Sequence, residues 1–281
     1  MKKITRRSFL AAAGLTAAAL ALTACGGSSS STASSVASSA AASSEAASSS
    51  AAAAELTTVE AGKLTMATNA AFPPYEMTTD AGDFEGIDIE TAQAIADKLG
   101  LELQIDDMDF DAALLSVQQG KADIVMAGVT VTDERKAVMD FSDSYATGIQ
   151  SIIVPEGSDI ASPDDLAGKK IGTQRGTTGY IYCSDDFGDE NVVAYDDGLT
   201  AVQALNNGQV DAVVIDNAPA KEFVAANPGL VILDTSYAEE DYAIGMAKGN
   251  TALEDAVNAA LEELKADGTL QSIVDKYITA E

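Results

Sequence analysis

The sequence predicts an α/β fold with two similar lobes, and two observations lead to this prediction. Short apolar strands alternate with amphipathic helices between residues 56 and 281, a pattern typical of α/β folds. One unit of the pattern also occurs twice, 88 residues apart, as Ser116–Ala127 and Ala204–Ile215. In each copy a helix ends at a glycine and is followed by an aspartate and an apolar strand. Two such units indicate two lobes, although two similar units within one domain would give the same pattern.

The individual elements follow from the apolar periodicity along the chain. The predicted strands are Leu64–Thr68, Leu101–Ile105, Ile124–Ala127, Ile149–Val154, Lys170–Thr173, Val192–Tyr195, Ala212–Ile215 and Val231–Leu233. The predicted helices are Asp88–Leu99, Phe110–Gln119, Thr177–Asp185, Leu199–Asn207, Ala218–Ala226 and Leu253–Lys265. A shorter helix is expected to begin at Thr132 or Asp133, because either side chain can cap a first turn that carries Arg135.

Residues 1–24 are predicted to be an export signal. A basic start that includes Arg6 and Arg7 precedes an uncharged run, Phe9–Thr23, of 15 residues, which is shorter than the roughly 20 residues of a membrane-spanning helix. Small residues before Cys25 resemble the lipobox of bacterial lipoproteins, in which this cysteine is acylated. An ordinary signal peptide with an incidental cysteine is the alternative. The paired arginines also resemble a twin-arginine signal, so the export route stays open.

Residues 25–55 are expected to be the lipidated cysteine and a disordered linker. Gly26–Ala54 consists almost entirely of Ser, Ala and Gly, with Glu45 as its only charge. Such a segment buries too little apolar surface to offset the entropy of ordering it, although its alanine runs could form transient helix. We therefore expect an exported folded domain that the lipid on Cys25 holds at the outer face of the bacterial cytoplasmic membrane, on the periplasmic side or at the cell surface.

The composition excludes several classes of function. The chain has 281 residues, with 16 Lys and Arg against 44 Asp and Glu, and no His. It therefore cannot build a Ser-His-Asp or Cys-His nucleophile, or a zinc site that depends on imidazole. A net charge of −28 argues against nucleic-acid binding, because phosphates would find no counter-charge. Two cysteines, Cys25 and Cys183, argue against a disulfide framework, and Cys183 is expected to be a buried thiol. No metal or cofactor is expected.

Polar residues follow the strands of both copies of the repeated unit. Gly128 and Asp216 come directly after equivalent strands, at the sheet edge where α/β proteins bind ligands. If the lobes face each other, these two residues line one cleft. Thr130 offers a hydroxyl there, and Arg135 offers a planar guanidinium that suits a carboxylate. A surface ion pair for Arg135, and a helix-capping role for Asp216, are the alternatives.

Three further positions could complete such a cleft. Residues 172–179 form a strand end, a glycine-containing loop and a helix start, where the free amides near Thr177 and Thr178 favour an anion. The glycine spacing departs from that of a dinucleotide fingerprint. Phe72, in a proline-rich loop after the first strand, and Phe110, at the start of a helix, could form opposing aromatic walls. Either ring could equally belong to a core.

Taken together, these segments resemble the extracellular solute-binding proteins of polar amino-acid ABC transporters, the family 3 solute-binding lipoproteins. The resemblance covers residues 59–279 in order and is carried by the set of motifs rather than by any one of them. The matching segments are Asn69–Tyr75, Gly86–Ile89, Asp109–Asp111, Gly120–Asp123, Gly128–Arg135, Asp140–Tyr145, Gly176–Thr178 and Asp211–Asp216.

The resemblance implies a monomeric, periplasmic-binding-protein-like fold of type II, in which the chain crosses twice between the lobes. We expect the crossings near Ala146–Ile149 and Asp241–Met246. The first lobe would then contain residues 56–148 and 244–281, and the second lobe residues 149–243.

The resemblance also implies a ligand and the groups that hold it. Arg135 would bind the α-carboxylate of a free amino acid, helped by the amides near Thr130, Thr177 and Thr178. The lobes would close on the ligand, and the permease of an ABC transporter would recognise the closed shape.

The remaining implied contacts concern the other end of the ligand. Asp216, the Gly128 carbonyl and the Thr130 hydroxyl would bind the α-ammonium group. Phe72 and Phe110 would enclose the side chain.

Two neutral positions bear on the ligand side chain. Relatives that take cationic side chains often carry an acid where this chain has Asn69, and Gln174 at the lip of the second lobe is neutral too. We therefore expect a neutral, glutamine-like amino acid rather than arginine or lysine.

A transport receptor without catalytic turnover is the expected function. The alternatives are a sensory binding domain and a cyclohexadienyl dehydratase-like enzyme, which would need a general acid where Asn69 stands.

Overall fold

The computed structural model of the protein describes residues 56–278. The expected export signal, the acylation of Cys25 and the linker in residues 25–55 lie outside the described residues and stay predictions. Within the described range, every helix is too short or too polar to cross a lipid bilayer.

Fourteen strands and eight α-helices occur between residues 56 and 278. The strands are β1 (Lys63–Thr68), β2 (Ala71–Phe72), β3 (Glu76–Thr78), β4 (Phe84–Glu85), β5 (Glu102–Asp107), β6 (Ile124–Val125), β7 (Met139–Phe141), β8 (Ala146–Pro155), β9 (Ile171–Gln174), β10 (Val192–Tyr195), β11 (Ala212–Asp216), β12 (Leu230–Ile232), β13 (Ala238–Tyr242) and β14 (Gly245–Ala247). The helices are α1 (Ile87–Leu99), α2 (Phe110–Gln118), α3 (Asp133–Val138), α4 (Thr178–Phe187), α5 (Gly198–Asn206), α6 (Asn217–Ala226), α7 (Thr251–Ala266) and α8 (Thr269–Tyr277).

The first sheet has the strand order β5-β1-β6-β14-β7. Strand β1 runs parallel to β5 and β6, whereas β14 is antiparallel to β6 and β7. Successive residues of a strand face opposite sides, and both sides of this sheet are covered. Met66 packs in one core with α1 and α7, while Ala67 packs with α2 in another.

The second sheet has the order β10-β9-β11-β8-β12, and β13 pairs with β8 outside this path. Strand β9 is parallel to β10 and β11, whereas β8 is antiparallel to all of its partners. On β11, Val213 packs with α5 and α6, and Val214 packs with α4 around the thiol of Cys183. Burial raises the pKa of Cys183 to about 12. The expected α/β fold and the expected buried thiol are confirmed.

The repeated unit has the same hydrogen bonds in both sheets. Its glycine has a φ of 66° in each copy, the left-handed conformation that ends a helix. The aspartate then ties its strand to the neighbouring one. Asp123 accepts a hydrogen bond from the backbone N–H of Thr65 at 2.7 Å, and Asp211 accepts one from the N–H of Lys170 at 2.7 Å. The similarity between Ser116–Ala127 and Ala204–Ile215 is therefore structural, with one copy in each sheet.

The chain passes from the first sheet to the second between β7 and β8, and it returns between β13 and β14. The first half of β8 pairs with β13, from Ala146 opposite Tyr242 to Gln150 opposite Ala238, and its second half pairs with β11 and β12. The first expected crossing, Ala146–Ile149, lies within β8. The second, Asp241–Met246, runs from the end of β13 into β14. The lobe boundaries drawn from these crossings stay a prediction.

All eight strands and six long helices expected from the sequence are present, with ends that differ by three residues or fewer. The short helix α3 is present as well, with Thr132 rather than Asp133 at its cap. Strands β2, β3, β4, β7, β13 and β14 and helix α8 were not predicted. These strands have two to five residues, too few for a clear alternation, and α8 buries only Leu270 and Ile273.

The two repeated aspartates should contribute unequally to stability. Asp123 is buried and also accepts from the N–H of Val59 at 2.7 Å, whereas Asp211 is exposed. Replacing a buried, charged acceptor leaves backbone donors unpaired. We expect Asp123→Asn to lower the free energy of unfolding by about 2 kcal/mol or more, and Asp211→Asn by about 1 kcal/mol or less. Urea unfolding measures both, and equal losses would contradict the explanation.

Candidate ligand-binding site

A cavity of about 430 Å³, its mouth included, lies between the two lobes. Residues from both sheets and from the loops after their strands line it. They are Asn69, Phe72, Glu76, Phe110, Ala127, Gly128, Thr130, Arg135, Gln150, Gln174, Thr177, Thr178, Val214, Ile215 and Asp216. All ten residues expected from the sequence to contact a ligand are among them, so the structure brings the whole set together. Their roles toward a ligand stay predictions.

Arg135 provides the positive charge of the cavity. Helix α3 positions it, because the Thr132 side chain caps the helix by accepting from the N–H of Arg135 at 3.2 Å. The guanidinium is buried and donates to the Thr130 carbonyl at 2.7 Å and to the Gly176 carbonyl at 3.2 Å. Its central carbon lies 5.4 Å from the centre of the Phe110 ring, a cation–π distance.

These contacts exclude the surface ion pair as the role of Arg135. Its side chain is 8% exposed and reaches backbone carbonyls of both lobes. Asp140, one candidate partner, instead pairs with Lys248. Burial lowers the pKa of Arg135, yet arginine stays charged in proteins. The guanidinium is therefore a buried cation that faces the cavity.

Asp216 provides a negative charge on the other lobe. It is the last residue of β11, is 7% exposed, and accepts a hydrogen bond from Nε2 of Gln150 at 2.6 Å. Its other oxygen, Oδ1, has no partner of good geometry in the described part of the chain. Although α6 follows directly, the Asp216 side chain makes no capping hydrogen bond to it, so the capping alternative is wrong. Burial raises the pKa of Asp216 to about 7.

Gly128 lets an aromatic ring approach the strand end. Its φ is 54°, and a Cβ there would lie 2.8 Å from the Phe72 ring. Its N–H donates to the buried carboxylate of Asp88 at 3.0 Å. A side chain at this position would therefore meet both an unfavourable backbone conformation and a steric conflict.

The two aromatic rings have a double role. Phe72 and Phe110 both line the cavity, and each is also buried in a hydrophobic core. Phe72 stacks on Tyr75 with 5.8 Å between the ring centres. Both rings therefore belong to a core, and their role as walls around a ligand stays a prediction.

Polar contacts join the two lobes across the cavity. Gln174 donates from Nε2 to Oδ1 of Asn69 at 2.8 Å, and the hydroxyls of Thr130 and Thr178 lie 3.4 Å apart. Thr177 caps α4 by accepting from the N–H of Tyr180 at 3.3 Å, which places the helix start at the cavity. The lobes are thus in a closed arrangement.

The closest approach between the lobes involves a glycine. Gly176, with a φ of 74°, follows β9, and a Cβ there would lie 1.7 Å from Oδ1 of Asp111 at the start of α2. Any side chain on Gly176 would occupy the position of the Asp111 carboxylate. A larger residue at position 176 would strain the backbone and would require the exposed Asp111 side chain to move.

Sequence reasoning missed two polar residues of the cavity, Glu76 and Gln150. Glu76 is fully buried, and neither carboxylate oxygen accepts a hydrogen bond from a donor within residues 56–278. Burial raises the pKa of Glu76 well above its ordinary value, and the neighbouring Asp88 carboxyl adds to the effect. Gln150 was detectable as a polar residue inside an apolar strand. Glu76 directly follows the proline-rich loop but carries no periodic signal.

Comparison with known proteins places the chain in a family. The family model of the bacterial extracellular solute-binding proteins, family 3, matches residues 64–280. The L-cystine-binding protein TcyJ of Escherichia coli (strain K12) is 34% identical over 226 residues, which cover 79% of this chain and 85% of TcyJ.

Solved structures agree with this assignment. An ancestral arginine-binding protein bound to glutamine is 42% identical, with a TM-score of 0.75, and the match covers 78% of this chain and 99% of that one. An ancestral arginine-binding protein bound to arginine is 43% identical, with a TM-score of 0.74, and covers 77% of this chain and 98% of its own. The chain belongs to the bacterial extracellular solute-binding proteins of family 3.

Proposed function

We propose that this protein captures a free amino acid between its two lobes and delivers it to the permease of an ABC transporter. The observation that carries the proposal is the pair of opposite buried charges, Arg135 on one lobe and Asp216 on the other, that line one cavity. An α-amino acid carries its carboxylate and its ammonium on one carbon. A site with a cation on one wall and an anion on the facing wall matches that arrangement.

Each end of the ligand would meet preorganised groups. The Arg135 guanidinium would take the carboxylate in a two-pronged hydrogen bond, together with the helix start at Thr177 and Thr178. The ammonium has three donors, which would be received by Asp216, the Thr130 hydroxyl and the Gly128 carbonyl. Oε1 of Gln150 is a buried acceptor without a hydrogen-bond partner in the described part of the chain, and Asp216 Oδ1 has none of good geometry there, which supports this assignment.

For the ligand side chain we propose a neutral polar group, with glutamine as the representative. The Asn69 and Gln174 amides, which hydrogen-bond to each other at 2.8 Å, would exchange this contact for a carboxamide. The rings of Phe72 and Phe110 would enclose the aliphatic part. A relative of similar fold is described as bound to glutamine, which is compatible with this proposal.

A cationic side chain is the second candidate, and Glu76 favours it. Two acidic residues and one basic residue line the cavity, namely Glu76, Asp216 and Arg135. A cationic side chain beside Glu76 would favour the ionised carboxylate, which burial otherwise disfavours. A guanidinium near Glu76 would also supply the donors that its two oxygens lack within residues 56–278.

We further propose that the protein acts as a monomer and that, after export, acylation at Cys25 holds it at the membrane. We also propose that one lobe contains residues 56–148 and 244–281 and that the other contains residues 149–243. The family consists of binding proteins, and no enzymatic turnover is proposed. A sensory role would use the same site, and only the partner, a permease or a signalling protein, separates the two.

Titration calorimetry with each of the twenty amino acids tests the function. We expect one-to-one binding of L-glutamine at neutral pH. Binding of L-arginine without L-glutamine would replace the first ligand candidate by the second, and Glu76→Gln would then weaken the arginine complex. Binding of no amino acid would contradict the proposed function.

Arg135→Ala and Arg175→Ala provide the matched control for this measurement. Removal of the Arg135 side chain would leave the ligand carboxylate buried and unpaired. Arg135→Ala should therefore weaken binding by about 3 kcal/mol or more, roughly a hundredfold. Arg175 is exposed and pairs with Asp196 at 3.2 Å. Its replacement should leave the affinity within about threefold of the wild type, since exposed ion pairs contribute little.

Gly176→Ala should impair closure without unfolding the protein. A Cβ there would collide with the Asp111 carboxylate of the facing lobe, so closure would require that exposed side chain to move and would become less favourable. We expect at least a tenfold weaker affinity, and partial recovery in the double variant Gly176→Ala with Asp111→Ala. Gly157→Ala is the control, because Gly157 has a φ of 79° with no atom near its Cβ position. Equal affinities of the two variants would contradict the steric explanation.

Amino-acid binding should weaken in acid because Asp216 takes up a proton. Its pKa is raised from 3.8 to about 7, chiefly by burial, so below pH 7 the ligand ammonium must displace a proton. We expect the affinity to fall by up to tenfold for each pH unit below about 7. The same shift lowers the stability of the ligand-free protein as the pH rises from 3.8 through about 7, because the folded state holds the proton more tightly. Calorimetry at several pH values would contradict this if the affinity were constant from pH 5.5 to 8.

A further inference from the structure

Glu240 is a buried acid next to the cavity to which the proposed amino-acid contacts assign no role. It lies on β13, opposite Gly148 of β8, and is 6% exposed. An ionised carboxylate at this depth costs several kcal/mol unless its surroundings compensate it. Its hydrogen bonds therefore indicate what the side chain does.

One oxygen of Glu240 connects the two lobes. Its Oε2 accepts from the Thr130 hydroxyl at 3.1 Å and from Nε2 of Gln150 at 3.0 Å. Thr130 follows the first sheet, and Gln150 lies in the second. Because the Thr130 hydrogen points to Glu240, the lone pairs of that hydroxyl are left to accept from another donor.

Gln150 places Glu240 beside Asp216. The amide nitrogen of Gln150 has two hydrogens and gives one to Asp216 at 2.6 Å and the other to Glu240 at 3.0 Å. Two carboxylates thus share one neutral amide group in a buried site. Each also has an oxygen, Asp216 Oδ1 and Glu240 Oε1, without a hydrogen-bond partner of good geometry in residues 56–278.

Other titratable groups surround this pair. The charge of Glu240 acts on Arg135 of α3 and on Asp216 of β11. It also acts on the phenols of Tyr182 in α4 and Tyr242 in β13, and burial together with this charge raises the pKa of Tyr182 to about 12. Arg135 is the cation among these groups, and its guanidinium already donates hydrogen bonds to the Gly176 and Thr130 carbonyls.

We propose that Glu240 is a positioning residue that makes the site require an ammonium group on its ligand. It does so in two ways: it orients the Thr130 hydroxyl and the Gln150 amide, and it places a second negative charge beside Asp216. The proposal rests on the proposed function, since it assigns a role at the same site. Glu240 acts through Asp216, Thr130 and Gln150 and does not line the cavity itself.

The test compares Glu240→Gln with Glu239→Gln by titration calorimetry. Both changes remove one negative charge from β13, but Glu239 is exposed. The probes are L-glutamine and L-arginine, with 4-carbamoylbutanoate and 5-guanidinopentanoate as analogues that lack the ammonium group. At pH 8 we expect Glu240→Gln to weaken the amino-acid complex at least tenfold and to leave binding of the analogue unchanged. Glu239→Gln should match the wild type with every probe.

A pH series separates this role from a structural one. Without the charge of Glu240, Asp216 holds its proton less tightly, so the pH below which affinity falls should be lower in Glu240→Gln than in the wild type. The loss should therefore shrink between pH 8 and pH 6. A loss that is constant with pH, or equal for amino acid and analogue, would overturn the proposal.

A second variant covers the case in which Glu240→Gln does not fold. Glu240→Asp keeps the charge but withdraws it by one methylene group, so the amino-acid affinity should fall while the pH dependence stays close to that of the wild type. Wild-type affinity in this variant would overturn the positioning role. Failure of the wild type to bind either amino acid would contradict the proposed function itself, whereas wild-type binding with an unaffected Glu240→Gln would contradict only this proposal.

Discussion

The site depends on two opposite charges, Arg135 and Asp216, that are buried on separate lobes. A buried ion without compensation is costly, and Arg135 and Asp216 do not compensate each other. Arg135 instead donates to two backbone carbonyls and lies over the Phe110 ring, while Asp216 accepts from Gln150. These neutral hydrogen-bond and ring contacts hold each group in place. Both charged groups are therefore available to a ligand in the cavity.

The fold supplies these ions from equivalent places. In each sheet the repeated unit ends one helix at a glycine and starts a strand that an aspartate ties to its neighbour. The chain then leaves the strand at the sheet edge, where Gly128 follows in one copy and Asp216 in the other. One structural unit, used twice, thus builds both walls of one cleft.

The parts that the sequence made predictable are those with a local cause. Strand and helix periodicity located the long elements, and the strand ends located Arg135 and Asp216. By contrast, Gln150 and Glu240 meet their partners through contacts between distant segments: Gln150 is 66 residues from Asp216 and 90 from Glu240 along the chain. No local pattern reports such pairing. Helix α8 escaped prediction because it buries only two side chains.

The pairing of β8 with β13 has a consequence for how this architecture diversifies. Gln150 and Glu240 lie on these two paired strands, so a change at either position would disturb hydrogen bonds that connect β8, β13 and Thr130. Asn69, in contrast, follows β1 and Gln174 ends β9, and their amides contact each other. Substitutions at Asn69 and Gln174 would therefore leave the hydrogen bonds of Gln150 and Glu240 intact, within a family whose members are named for cystine, histidine, arginine and glutamine.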